Sequence, residues 1–149
     1  MTATQRRLGS GWAFPVHPDA VTGSVTYRTG AEKVREAIVL ILSTEPGERL
    51  MRPSFGCPLR QYLMAPNTVA TRAGIQRAVS RAIEAFEPRV QLGEVMVTAG
   101  SSTGSAGAQA GSGGGAGTEP SLVEVTVRYE HRRDGSPGVL VYPFYLERA

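Results

Sequence analysis

The chain has 149 residues, 16 Lys or Arg against 13 Asp or Glu for a formal charge of +3, and 41% hydrophobic residues. These values are typical of one soluble domain, because two domains would each have too small a core. Cys57 is the only cysteine, and His17 and His131 are the only histidines. An internal disulfide, a cysteine-based zinc site and a multi-histidine metal centre are therefore excluded. We expect a single domain over 1–149 that works in a reducing cytoplasm.

Almost all of the positive charge is arginine, since Lys33 is the only lysine. Arginine favours bidentate contacts with carboxylates and phosphates and is enriched at interfaces, which indicates an interaction protein. No apolar stretch approaches the roughly 20 residues of a membrane span, and none follows Arg6 and Arg7 as a secretory signal requires. We therefore expect neither membrane insertion nor export by a signal peptide.

The first predicted elements are an N-terminal arm, 1–28, and a helix. The helix begins after Thr29, where Thr29 and Glu32 have the spacing of a capping box. Glu45-Pro46-Gly47 ends it, and residues 49–52 are predicted to form a short extended piece. The apolar face of this helix consists of Val34, Ala37, Ile38, Ile41 and Leu42.

A short helix and a longer one follow. Pro58 is predicted to open the short helix, which runs through Met64 and turns Leu59, Tyr62 and Leu63 inward. Asn67 or Thr68 caps the longer helix, and Pro88 ends it. The apolar face of the longer helix consists of Ile75, Ala78, Val79, Ala82, Ile83 and Phe86.

Beyond Pro88 the apolar pattern changes from helical to alternating. The phase switches between Leu92 and Val95, which predicts a bulge at Gly93. Leu122 to Glu130 alternates between apolar and polar residues, as in a strand with one wet face. After a turn at 133–136, Val139 to Leu146 is the last strand, and Pro143 places it at an edge.

Between the first two of these strands lies a segment, 99–118, that contains only Ala, Gly, Ser, Thr and Gln. Such a segment cannot bury enough apolar surface to offset its ordering entropy, so it is predicted to be a flexible loop within the sheet. The helices precede the strands along the chain. This order predicts an α+β fold with two main helices and a short one packed on a small, mostly antiparallel C-terminal sheet.

Catalytic chemistry finds little support in the residues. A glycosidase needs two carboxylates that flank a cleft, one of them with a raised pKa. A helix cap, a solvated face and a helix terminus account for Glu32, Glu36, Glu45 and Glu48. Cys57 has apolar neighbours and is expected to be buried and inert, and His131 is expected to be solvated at a turn. We predict no catalytic, metal-binding or cofactor-binding residue and no enzymatic activity.

Glu87 and Arg89 bracket the proline that ends the longer helix. In one interpretation they are a local stop, with Arg89 near the negative end of the helix. In the other they form a rigid pair that is presented to a partner.

Several segments, taken in chain order, resemble those of a known family. They are Gly11-Trp12-Ala13-Phe14-Pro15-Val16, the helix beginning near Glu32, Thr44-Glu45-Pro46-Gly47-Glu48-Arg49, Met51-Arg52-Pro53, Phe55-Gly56 and Phe86-Glu87-Pro88-Arg89-Val90. On these motifs the chain resembles the small baseplate wedge proteins of contractile phage tails, type VI secretion systems and extracellular contractile injection systems. Segment 99–118 departs from the compact hairpin usual in that family.

The resemblance implies a structural role as a sheath initiator that templates the first sheath ring by strand-edge contacts. Its implied partners are other wedge proteins, the sheath protein and the tube-proximal hub, in six copies per tail-like particle that assembles in the cytoplasm, without nucleic acid or a cofactor. The predicted partner-binding residues are Glu87, Pro88, Arg89, Val139, Val141, Tyr142, Phe144 and Tyr145. Two alternatives stay open: a small basic nucleic-acid-binding module and a muralytic hydrolase, since members of the family were once labelled lysozymes.

Overall fold

A hairpin and two long helices precede a three-stranded sheet in the computed structural model, which describes residues 8–101 and 118–146. The elements in chain order are β1 (Ser10–Trp12), β2 (Tyr27–Thr29), α1 (Ala31–Ser43), a 3₁₀ helix (Arg60–Tyr62), α2 (Val69–Phe86), β3 (Val90–Ser101), β4 (Thr118–His131) and β5 (Pro137–Tyr145). The predicted α+β class is confirmed.

The C-terminal sheet is antiparallel, with β4 in the centre and β5 at one edge. Its pairing shifts register between Leu92 and Glu94, which confirms the bulge at Gly93. The alternation of β4 continues one step beyond the predicted end of the strand, and this puts His131 on the inner face with only 1% of its surface exposed. The prediction of a solvated His131 is therefore wrong, because the residue closes a strand rather than opening a turn.

Both helices pack on the inner face of this sheet and form one core with it. Their 3.6-residue period and the two-residue period of the strands bring apolar side chains to a common layer. The fully or nearly buried helical residues are Val34, Ile38, Ile41, Leu42, Ile75, Val79, Ala82 and Ile83, and those of the sheet are Val90, Val95, Val123, Val125, Val127, Tyr129 and Leu140.

The two helix starts differ in how they are capped. Thr68 caps α2 as predicted, since its hydroxyl accepts a hydrogen bond from the Thr71 N–H at 3.2 Å. The predicted capping box of α1 is wrong, because the N-cap is Gly30, with φ of 65° and no side-chain cap bond. Glu32 forms an ion pair with Arg28 at 3.0 Å instead.

The connection between the helices is more tightly turned than predicted. Residues 49–52 are not extended, because the Arg52 N–H donates to the Arg49 carbonyl at 3.1 Å and closes a turn. The short helix is a single 3₁₀ turn, after which Leu63 becomes extended and 36% exposed instead of facing inward. The turn at 49–52 and the early end of the short helix were thus not predicted, and both lie in a segment rich in Pro and Gly.

The ends of the predicted loop and the predicted arm contain strand structure. β3 continues through Ser101 and β4 begins at Thr118, so both strands reach into the 99–118 segment, whose residues 102–117 lie outside the described chain. The arm contains β1, which pairs antiparallel with β2. Neither helix in the described ranges is long and apolar enough to cross a membrane.

Cys57 is fully buried, as predicted, and its thiol should be unreactive in the folded protein. Burial raises the pKa of the Cys57 thiol to about 12, and the Glu45 carboxylate adds to the rise. Since the thiolate is the nucleophile, we expect an aromatic disulfide reagent at pH 8 to label Cys57 only as fast as the protein opens. Prompt labelling of the native protein, at the rate seen in denaturant, would contradict this burial.

Because the pKa of the folded state lies above that of the unfolded state, this thiol lowers the free energy of unfolding as pH rises from about 9 towards 12. The Cys57→Ala variant should lose that part of the pH dependence.

Candidate functional site: an assembly surface

The segment after α2 forms a corner built on an ion pair. The Glu87 N–H still donates to Ile83 at 2.9 Å as the helix C-cap, which turns the Glu87 side chain into the protein, where it is only 3% exposed. Both of its carboxylate oxygens accept hydrogen bonds from the Arg89 guanidinium, from Nε and from Nη2, each at 2.6 Å. The two residues that flank Pro88 therefore pair with each other in a bidentate geometry.

Arg89 also ties this corner to the N-terminal segment. Its Nη1 donates to the Leu8 carbonyl at 3.0 Å, and Leu8 itself is 4% exposed. The hydrogen bonds with Glu87 raise the pKa of Arg89 further above its ordinary value. The turn after β4 joins the same corner through Arg132. The Arg132 backbone N–H donates to the Arg89 carbonyl at 3.0 Å, and the Arg132 Nε donates to the Val90 carbonyl at 2.9 Å.

This geometry gives Glu87 and Arg89 an internal role in the free protein. Of the three residues of the motif, Pro88 is exposed, Arg89 keeps about a third of its side chain exposed, and Glu87 is hidden. The sequence suggested the rigidity of the pair but not its inward direction. Of this motif, Pro88 and the outer part of Arg89 are open to contact by another molecule.

The outer edge of β5 is the second part of the surface. Hydrogen bonds at both ends of the β4–β5 ladder, Leu146 N–H to Ser121 and His131 N–H to Ser136, fix which residues bond inward. Because bonded and non-bonded pairs alternate in an antiparallel ladder, the even-numbered residues of β5 bond to β4. The odd-numbered residues direct their backbone groups outward, and no other strand within the described ranges pairs with them.

Both prolines of β5 lie on the outward side. Pro137 and Pro143 are odd-numbered, so neither removes a hydrogen bond from the β4–β5 ladder. The outward N–H groups that remain are those of Val139, Val141 and Tyr145. The edge therefore offers three donors, interrupted at Pro143.

The side chains of β5 divide between the two faces of the sheet. Tyr142 and Phe144 pack against the core, and burial raises the pKa of Tyr142. Val139, Val141 and Tyr145 lie on the other face and are 57%, 46% and 52% exposed. Tyr142 and Phe144 are half-buried, so Tyr145 is the most exposed of the aromatic residues predicted to bind a partner.

The corner and the β5 edge are separate surfaces. β3, which follows Arg89, and β5 lie on opposite sides of β4. The turn that contains Arg132 contacts the corner and leads directly into β5. The two surfaces are therefore adjacent at one end of the sheet, but each remains a distinct surface.

The glutamates considered for catalysis have structural partners. Glu36 pairs with Lys33 at 3.1 Å, Glu45 accepts from the Arg60 N–H at 3.2 Å, and Glu48 accepts from the Glu45 N–H at 3.0 Å. Within residues 8–101 and 118–146, no three His, Cys, Asp or Glu residues come together as metal ligands would.

Comparison with known proteins points to one family. The family model described as baseplate wedge protein gp25 matches residues 28–136. The baseplate wedge protein gp25 of Enterobacteria phage T4 is 29% identical over 66 residues, which cover 44% of this chain and half the length of that relative.

Two solved structures resemble the fold. A crystal structure of a candidate tail lysozyme from Geobacter sulfurreducens is similar with a TM-score of 0.63 and 28% identity, over 79% of this chain and 92% of the other. A chain of the anti-feeding prophage baseplate, determined by cryo-electron microscopy, is similar with a TM-score of 0.60 and 22% identity, over 96% of this chain and 90% of the other.

Proposed function

Because this chain belongs to the baseplate wedge protein gp25 family, we propose that it joins the wedge proteins of a contractile tail-like particle to the first sheath ring. In this role it acts through surfaces and has no enzymatic activity. The observation that carries the proposal is the outward edge of β5, with its donors at Val139, Val141 and Tyr145.

A strand from the sheath protein would extend the sheet beyond β5. Addition of a strand to an exposed edge uses main-chain hydrogen bonds for affinity, and alternate side chains give specificity. Val139, Val141 and Tyr145 would supply those contacts on the open face, while Pro143 limits the length of continuous pairing. The exposed apolar side chains make this edge costly to leave uncovered, since such edges promote self-association.

The corner would contact a wedge protein. The ion pair with Glu87 already fixes Pro88 and the exposed part of Arg89 in place. Binding of a partner therefore costs little further conformational entropy. Glu87 would act as the internal anchor of that contact. The further partners are the tube-proximal hub and five other copies of this chain around the tube, in a particle that assembles in the cytoplasm.

Val141→Pro should abolish sheath attachment while the protein stays folded. The substitution removes an outward N–H, whereas the neighbouring residues keep the bonds to β4, so we expect the variant to lose some stability from the fixed φ of proline but to stay folded. Particles from a host that carries the variant gene, imaged by electron microscopy, should contain the protein in baseplates that lack sheath. Val139→Pro is a second variant of the same kind.

Val141→Thr is the matched control, because it keeps both the N–H and the side-chain shape. It should give sheathed particles. Sheathed particles at the wild-type frequency with a folded proline variant would contradict strand addition at β5.

A further inference from the structure

The turn between Arg49 and Arg52 presents two adjacent apolar side chains to solvent. The i to i+3 hydrogen bond from the Arg52 N–H to the Arg49 carbonyl makes Leu50 and Met51 the two central residues of a β-turn. Leu50 is 97% exposed and Met51 is 94% exposed. We name Arg49–Arg52 the apolar knob.

The apolar knob is held firmly to the rest of the protein. The Gly47 N–H donates to the Pro53 carbonyl at 2.8 Å and closes the base of the loop. The Phe55 N–H donates to Arg52 at 3.0 Å, and the Arg49 guanidinium lies over the Phe55 ring, 4.1 Å from its centre. Since Phe55 is itself buried in the core, the turn has little freedom to fold its tip back.

Leu50 and Met51 do not stabilise the free protein in any visible way. Central positions of β-turns favour Pro, Gly, Asn, Asp and Ser, which either adopt the required backbone angles or bond to it. Leu50 and Met51 do neither, and they contact no core. In an interface, a rigid apolar tip is a good anchor, because its burial gains transfer free energy and little conformational entropy is lost.

The charges beside the tip indicate the chemistry of the surface that receives it. Arg49 and Arg52 flank Leu50 and Met51, and neither guanidinium forms an ion pair within the described parts of the chain. Two guanidinium groups without an ion pair, on either side of an apolar centre, complement an apolar pocket with carboxylates on its rim.

We propose that the apolar knob inserts Leu50 and Met51 into an acid-rimmed apolar pocket of a neighbouring baseplate subunit. This inference rests on the proposed function, because it takes that neighbour from the same particle. It adds a third contact, distinct from both the corner and the β5 edge.

A membrane is a weaker match for the apolar knob. Two side chains bury little apolar surface, and even a single acyl chain, with more apolar carbons, gives only marginal membrane binding. A shaped pocket gains the same burial and adds carboxylates at fixed positions for both guanidinium groups. Binding to vesicles is therefore one arm of the test.

The test is the double variant Leu50→Ser/Met51→Ser. Both side chains are exposed, so the melting temperature of the free protein should stay within about 2 °C of the wild-type value. In particles from a host carrying the variant gene, the amount of this protein per baseplate should fall about tenfold or more. Val21→Ser is the matched control, since Val21 is 93% exposed in another turn and has no flanking arginine, and it should incorporate normally.

The outcomes separate this inference from the proposed function. If the wild-type chain is missing from purified particles, the proposed function fails. If the wild-type chain is present and the double variant is present in equal amount, the apolar knob is not a contact and the inference fails. Sedimentation of the wild-type protein, but not of the double variant, with vesicles of phosphatidylcholine and phosphatidylserine would overturn the protein pocket in favour of a membrane.

A photo-cross-link identifies the neighbour directly. Met51→p-benzoylphenylalanine, irradiated in intact purified particles, should form an adduct with another baseplate subunit, at a segment that contains Asp or Glu. Incorporation of this variant without any adduct would overturn the inference.

Discussion

Arg89→Ala should lower the free energy of unfolding by about 2–3 kcal/mol, which is a large effect for a residue with a third of its side chain exposed. The truncation leaves the buried Glu87 carboxylate without either of its guanidinium bonds and releases the Leu8 carbonyl. Removing one partner of a buried pair costs roughly 3–5 kcal/mol, and partial access of water to this corner places Arg89 below that range. Urea unfolding followed by circular dichroism measures the change.

Arg128→Ala is the matched control for that measurement. Arg128 forms an ion pair with Glu94 at 3.7 Å, and both side chains are more than half exposed. Exposed pairs contribute about 0–1 kcal/mol, so this variant should be nearly as stable as the wild type. Equal stabilities of the two variants would show that the Glu87 carboxylate is not committed to Arg89 in the free protein.

Gly56→Ala should be more damaging than Arg89→Ala and should lower the free energy of unfolding by on the order of 3 kcal/mol or more. Gly56 has φ of 122°, a region that L side chains rarely adopt, and an added Cβ would collide with the Thr44 carbonyl and lie 3.2 Å from the Glu45 carbonyl carbon. The same Thr44 carbonyl accepts the Cys57 N–H at 2.9 Å. A shift at this position would therefore draw Phe55 and Cys57 out of the core.

Gly47→Ala separates backbone strain from crowding. Gly47 also has a positive φ, 96°, but an added Cβ would meet nothing within 4 Å. Gly47→Ala should lose about 1–2 kcal/mol from strain alone. If thermal denaturation gives the two alanine variants the same stability, the close approach of Gly56 to the end of α1 does not contribute.

The periodic elements of this fold could be predicted because burial repeats with the geometry of the backbone. Ile38, Val79 and Val125 are fully buried, as their positions on the predicted faces require. The bulge at Gly93 could be predicted for the same reason, since an extra residue shifts the phase of alternation.

The candidate site was harder to predict because it depends on contacts that spacing does not encode. The carbonyl of Leu8 accepts a hydrogen bond from Arg89, 81 residues away, and a backbone carbonyl leaves no signal in the side-chain pattern. The inward turn of Glu87 depends on the C-cap geometry of α2. Leu50 and Met51 lie in a segment that was predicted to be extended, and their exposure at a turn was not predicted.

The wrong predictions have local causes. The capping box at Thr29 fails because Gly30 adopts a positive φ and begins the helix itself. The partner-binding role of Tyr142, Phe144 and Tyr145 stays a prediction, and the alternation of β5 packs the first two partly against the core while Tyr145 is exposed.

A cryo-electron microscopy reconstruction of the intact particle, with this chain resolved beside the first sheath ring, tests the central claim most directly. It should show a sheath strand paired with β5 through hydrogen bonds to the N–H groups of Val139, Val141 and Tyr145. A sheath ring whose nearest strand lies elsewhere, with these three N–H groups facing solvent, would contradict the proposed role of β5.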